Sequence, residues 1–218
     1  MTEGGLADRY RSCFDATWSD ETPIDRLRFV VLDSETTGLD LHVDRIITIG
    51  AVAVRGHEIV LEDSFDALVA VADTGAVEVH GITRDAARKG LEEAEVLARF
   101  LDYLRDGVIV GHHVGHDVGM LDVACERLWG FRTLNRSLDT MDLTLHLERD
   151  GAFAGRPPIR QFTLDALCGM FEVIPHDRHT ASGDAFLTAQ VFLRLLRLAA
   201  RHGRTTLARI AEPYPVEQ

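Results

Sequence analysis

Long apolar runs are missing from this 218-residue chain, and so is any excess of basic charge. No segment approaches the roughly 18 consecutive apolar residues of a membrane-spanning helix, so a membrane partner is not expected. The first residues, Met1 to Asp8, lack the basic start and apolar stretch of a signal peptide, and the expected location is the cytoplasm. Cysteine is scarce and odd in number. Cys13, Cys125 and Cys168 lie too far apart for a local CxxC metal site and are expected to be reduced core filler. With 35 acidic against 23 basic side chains the formal charge is −12. A protein that coats duplex nucleic acid through its phosphates should be far more basic. The acid is unevenly spread, however: residues 29–130 hold 19 acidic and 8 basic side chains. Carboxylates are therefore abundant in the first half, where they could serve a small metal-dependent site that grips one chain end.

Hydrophobic residues make up 46% and charged residues 27%, the balance of an ordinary globular protein with one good core. Three domain segments are expected: a helical extension over 1–27, the main domain over 28–203 and a short tail over 204–218. The lead-in helix spans about 5–27 and ends at Asp20-Glu21-Thr22-Pro23. Apolar runs predict strands at 28–35, 46–55 and 58–70, and the short connection Arg55-Gly56-His57 suggests an antiparallel meander. Helical spacing of Val96, Leu97, Phe100, Leu101 and Leu104 predicts a helix over 92–105. A strand at 108–113, a helix at 117–129, a strand near 137–143 and a helix at 163–171 follow. The longest helix is expected from Asp184 to His202, with Gly203 as its stop. Strands first, then alternating helices and strands, indicate a mixed α/β sheet with helices on both sides.

Three constellations carry chemistry. In Asp33-Ser34-Glu35-Thr36-Thr37-Gly38 the two acids share one side of a strand end, because side chains alternate along a strand. Adjacent carboxylates repel each other and resist desolvation, and a divalent cation relieves both difficulties. A polar strand terminus would look the same. In Gly111-His112-His113-Val114-Gly115-His116-Asp117 an acid opens the helix after a buried strand, as a metal ligand or a simple N-cap would. In His179-Thr180-Ala181-Ser182-Gly183-Asp184 a loop histidine stands five residues before an acid in the first turn of the longest helix. That histidine is either a general base or merely exposed to solvent. Together the four carboxylates come from three separated elements, and such hard oxygen donors suit Mg²⁺ or Mn²⁺.

These motifs, in this order, resemble those of the DEDDh 3′–5′ exonucleases, the DnaQ-like branch of the ribonuclease-H-like superfamily. Connecting segments match as well: Asp44-Arg45-Ile46-Ile47, His80-Gly81-Ile82-Thr83 and Leu164-Asp165-Ala166-Leu167-Cys168. The resemblance covers roughly residues 28–200. It implies an α/β, ribonuclease-H-like mixed five-stranded sheet, three antiparallel strands then two parallel, flanked by helices. It implies catalytic roles for Asp33, Glu35, Asp117, His179 and Asp184, with two divalent ions, Mg²⁺ or Mn²⁺, as cofactors. Asp33, Glu35 and Asp184 would hold one ion, and Asp33 with Asp117 the other. Thr36, Thr37, Gly38, His80, Gly81, Ile82 and Thr83 would contact substrate. His113 and His116 stand where the family usually has an asparagine and an aromatic, so substrate preference would be read there. Asp142, two places after the usual Asp139-Thr140 pair, is an extra acid.

The expected activity is metal-dependent 3′–5′ exonucleolytic release of nucleoside monophosphates from single-stranded DNA or RNA. A proofreading subunit or partner of a DNA polymerase is the alternative, and an inactive nucleic-acid-binding module stands behind it. A metal phosphohydrolase built on His116-Asp117 is disfavoured, because that pair follows a strand rather than lying in a helical bundle.

Overall fold

The computed structural model describes residues 3–72, 81–155 and 161–215. Five strands form one sheet: β1 (Arg28–Thr36), β2 (Ile46–Arg55), β3 (Glu58–Leu68), β4 (Val108–Gly111) and β5 (Ser137–Asp139). Their spatial order is β3-β2-β1-β4-β5, with β1, β2 and β3 antiparallel and β4 and β5 parallel to β1. The mixed sheet expected from the sequence is therefore present. The helices are α1 (Glu3–Ser12), α2 (Arg84–Ala87), α3 (Glu93–Leu104), α4 (Gly115–Trp129), α5 (Thr140–Arg149), α6 (Leu164–Met170), α7 (Ala181–Arg201) and α8 (Leu207–Ile210).

Strand β1 is buried without interruption from Arg28 to Leu32, because helices cover both of its faces. Alternation then assigns its side chains to two cores. Phe29 and Val31 join the core built with Leu187, Phe192 and Leu195 of α7, where the Phe29 and Phe192 rings meet edge to face at 5.0 Å. Val30 and Leu32 join the core on the other face, with Phe100 of α3 and Leu121 of α4. Continued by one residue at a time, this alternation sends Asp33 and Glu35 toward α7 and Ser34 toward α4. The strand's parity thus decides which helix each polar residue meets.

The start of β1 is pinned by a buried arginine. Arg28 donates Nε and Nη2 to Asp63 at 3.0 and 2.7 Å, donates Nη1 to the Leu104 carbonyl at 3.1 Å and lies 4.8 Å over the Tyr103 ring. Asp63 is presented by an irregularity in β3, where the β2 partner shifts from Ser64 opposite Val52 to Val60 opposite Ala53. Bonding to Arg28 pulls the Asp63 pKa down to about 2 against its partial burial.

Three expected elements differ. The lead-in is α-helical only over Glu3–Ser12, since Ser12 Oγ and Cys13 Sγ turn back onto the Arg9 carbonyl, and turns and a short 3₁₀ helix over Ile24–Arg26 follow. The strand expected near 137–143 stops at Asp139, and α5 begins at Thr140. Asp139 is its N-cap, accepting the Met141 N–H at 2.8 Å, and Leu143 and Leu147 bury one helical face. The longest helix starts three residues before Asp184, because Thr180 Oγ1 accepts the Gly183 N–H at 3.1 Å. Both chain ends join the cores: Leu6 and Tyr10 on one face, Ile24, Leu27, Leu207 and Ile210 on the other. Pro23 and Thr206 form an antiparallel bridge between them.

The N-terminus of α7 lies directly against β2 at Gly50, where a Cβ would come within 2.2 Å of the Ser182 backbone nitrogen. Substituting Gly50→Ala should therefore push α7 and Asp184 away from the sheet. The expected loss in urea denaturation is about 1–3 kcal/mol, and an unchanged midpoint would show that this contact is slack.

Candidate active site

The end of β1 and the start of α7 bring three acids together. Ligand oxygens of Asp33, Glu35 and Asp184 all lie within 4.8 Å of one another. Asp33 and Glu35 are half-buried, and Asp184 is buried in the first turn of α7, where the helix dipole favours an anion. Asp117 approaches from the other layer. It occupies the first turn of α4, is buried, and accepts Ser34 Oγ at 2.6 Å. Backbone N–H groups of Ser34 and of Asp117 itself also act on this carboxylate, so it is held between the strand end and the first turn of its own helix.

Burial and crowding raise the pKa of three of these acids. Burial is the largest cause at Asp33, followed by the charges of Asp117, Asp184 and Glu35, and its pKa lies well above the usual carboxylate range. Burial and then Asp184 and Asp117 push Glu35 up to about 7. Asp117 rises to about 6 through burial, against the lowering effect of the Ser34 hydroxyl. A hard, oxygen-only donor set of this kind fits Mg²⁺ or Mn²⁺, which would replace the bound protons.

His179 stands on the loop before α7 with φ of 63°, and its N–H points to Asp184 Oδ2 at 3.3 Å. Its side chain is exposed, and its charge acts on Asp165. The cation that meets the carboxylates is its neighbour Arg178. The Arg178 guanidinium pairs with Asp184 Oδ1 through Nη1 and with Asp165 Oδ1 through Nε at 2.8 Å. Arg178 was not among the residues picked out in the sequence. Its position beside the histidine was the available signal, but exposed arginines are too common to stand out. Ser34 was missed likewise, because its two acidic neighbours draw the attention.

The other anticipated site residues fall into several places. Thr36 Oγ1 donates to the Gly38 carbonyl at 2.7 Å and lies 3.5 Å from His116 Nε2, so Thr36 and His116 flank the same edge. Thr37 clamps the following loop: its Oγ1 donates to Asp44 Oδ1 at 2.7 Å and accepts the Arg45 N–H at 3.0 Å. Gly38 faces the same Asp44 carboxylate so closely that a Cβ would meet it at 2.5 Å. Thr83 Oγ1 accepts the Ala86 N–H at 3.2 Å and so opens α2, while Gly81 takes a φ of 69° before it and Ile82 stands between them. His80 lies outside the described residues. His113 is exposed with φ of 60°, its N–H donating to Asp139 Oδ1 at 3.2 Å. Asp139 also accepts the Val114 N–H at 3.0 Å, so one carboxylate fixes the turn that aims Asp117. Burial and the charge of His113 drive the pKa of His112 down to about 4. Asp142 faces Asp139 and the backbone of Tyr214, which places it beside the C-terminal segment.

Comparison with known proteins gives this geometry a setting. The exonuclease family (RNase_T) matches residues 30–192. A DNA polymerase III PolC-type of Thermotoga maritima is 34% identical over 197 residues, covering 89% of this chain and 13% of that protein. A DNA polymerase III subunit epsilon-like protein of Rhodobacter capsulatus is 37% identical over 196 residues, covering 87% of this chain and 27% of that protein. The chain thus spans well under a third of the length of these relatives. Among solved structures, E. coli exonuclease I in complex with a dT13 oligonucleotide aligns with a TM-score of 0.69 at 21% identity. The alignment covers 81% of this chain and 42% of that one, and the likeness is one of fold.

The raised pKa values fix the sign of a pH effect on the protein in EDTA. An unfolded glutamate loses its proton near pH 4.5, whereas folded Glu35 keeps its proton up to about pH 7, and Asp33 is shifted in the same direction. Between those two pH values only the native state binds that proton, so stability should fall as the pH rises from about 4.5 to about 7 and level off above it. Thermal melts in EDTA should show that fall, saturating Mn²⁺ should abolish it, and Glu35→Gln should reduce it. A melting temperature that rises over this range would contradict the assignment.

Proposed function

The chain belongs to the exonuclease family, and from that premise we propose that it removes nucleotides one at a time from the 3′ end of single-stranded DNA or RNA by metal-dependent hydrolysis. The observation that carries this reading is the convergence of Asp33, Glu35 and Asp184 within 4.8 Å, with Asp117 beside Asp33. Asp33, Glu35 and Asp184 would hold one Mg²⁺ or Mn²⁺ ion, and Asp33 a second with Asp117, directly or through water. Two such ions, when bound, activate a water and stabilise the leaving oxygen of an in-line phosphoryl displacement.

The residues of the chain supply the rest. His179 takes the proton of the attacking water, whose oxygen bonds to the terminal phosphorus as the bond to the penultimate 3′ oxygen breaks. A nucleoside 5′-monophosphate leaves, and the departing 3′ oxygen takes a proton from solvent, so the shortened strand ends in a 3′ hydroxyl. His179 suits this role because its exposed ring sits on a loop tied to Asp184 by its own backbone N–H. Thr36 and His116, whose side chains lie 3.5 Å apart, would meet the terminal nucleotide. The clamp of Thr37 and Gly38 on Asp44 holds that edge in shape. Gly81, Ile82 and Thr83 would line the cleft beside the last bases.

The net charge of −12 fits an enzyme that grips one strand end rather than a long tract. A second reading, work alongside a DNA polymerase as a proofreading exonuclease, is favoured by the names of the PolC-type and epsilon-like relatives. A mismatched primer terminus digested much faster than a matched one would support it over free-standing trimming.

The direct test uses 5′-labelled DNA and RNA oligonucleotides with Mg²⁺ or Mn²⁺. Asp33→Ala and Asp184→Ala should reduce digestion to background. His179→Ala should lower kcat by about 10²–10⁴-fold while Mn²⁺ binding persists. A 3′-phosphate should slow digestion, and a closed circle should resist it. Wild-type rates in Asp184→Ala, or brisk cleavage of the circle, would refute the proposal.

A further inference from the structure

Arg178 sits where a cation matters most. Its guanidinium bridges two carboxylates: Asp184 through Nη1, and Asp165 through Nε at 2.8 Å and Nη2 at 3.3 Å. Asp184 is the buried member of the metal-ligand cluster, while Asp165 is 60% exposed on the first turn of α6. The side chain of Arg178 itself is only 22% exposed. An arginine keeps its charge at any working pH and holds carboxylates in a rigid fork. The charge of Arg178 also acts on Asp33 and Glu35, in both cases favouring the ionised form. One cation thus serves the whole cluster, from a loop that also carries His179.

A guanidinium and a divalent ion that draw on the same Asp184 carboxylate repel each other. We propose that Arg178 is a positioning residue that competes with the divalent ion for Asp184, and that Asp165 is the post that draws the guanidinium partly off it. The two pairings of Arg178 then have opposite effects on the metal centre. The bond to Asp184 holds metal affinity down. The bond to Asp165 gives the displaced guanidinium a partner and so eases metal entry. This proposal rests on the reading of Asp33, Glu35 and Asp184 as metal ligands.

Isothermal titration of the whole chain with Mn²⁺ at pH 8, without substrate, tests it. Arg178→Gln should bind Mn²⁺ more tightly, on the order of tenfold, because a unit positive charge and a competing bond are gone. Arg178→Lys keeps the charge but not the fork, and should bind Mn²⁺ more weakly than Arg178→Gln does. Asp165→Asn should bind several-fold more weakly, since Arg178 then has Asp184 alone. Circular dichroism checks that each variant is folded. An arginine that only braces the site would give the same sign in both variants, each loosening the cluster and weakening Mn²⁺ binding. Equal or weaker binding by Arg178→Gln, or tighter binding by Asp165→Asn, overturns the proposal while leaving the metal-ligand reading intact. Absence of Mn²⁺ binding by the wild type overturns both.

Discussion

Mutual repulsion among Asp33, Glu35 and Asp184 is the constraint around which this molecule is arranged. At 4.8 Å, two ionised carboxylates oppose each other by roughly 3–4 kcal/mol at an effective dielectric constant near 20. Asp117 adds a fourth charge to the same edge. The rest of the fold has to hold this arrangement against a force that would spread it apart. Continuous burial of β1, with its alternate side chains anchored in two separate cores, supplies that resistance. Arg28 fastens the far end of the strand to Asp63 and to the Leu104 carbonyl.

The acids are aimed by small contacts that are individually ordinary. Ser34 reaches Asp117 because strand parity turns it away from Asp33 and Glu35. Asp139 gathers the N–H groups of His113, Val114 and Met141, which fixes the turn into α4 and starts α5 with one carboxylate. Thr180 caps α7, and Gly50 lets that helix end settle on β2. The geometry therefore comes from three segments far apart in sequence, each locked by its own local bond. Arg178 is the counterweight, a fixed positive charge supplied from the loop that also carries His179.

Much of this was legible in the residues, for physical reasons. The strands β1, β2 and β4 are covered on both faces, so they appear as unbroken apolar runs with little ambiguity. The paired acids stand out because a buried strand has no other use for them. The sequence puts Asp184 on the longest helix but not the three residues before it, because the Thr180 cap comes with no apolar signal. The start of α5 is the least legible in the sequence. Leu138 to Leu143 alternates enough to suggest a strand, and only the tertiary position of Asp139 shows that a helix begins there. The roles of Ser34, Arg178 and Asp165 depend on contacts across the fold, and no spacing along the chain encodes them.

The centre's assignment can be examined without activity. A crystal of the protein soaked in Mn²⁺ and measured at a wavelength where manganese scatters anomalously would locate the ion directly. An anomalous peak is expected between the carboxylates of Asp33, Glu35 and Asp184, with Arg178 drawn toward Asp165. A peak elsewhere, or none at saturating Mn²⁺ with these three side chains well ordered, would contradict it.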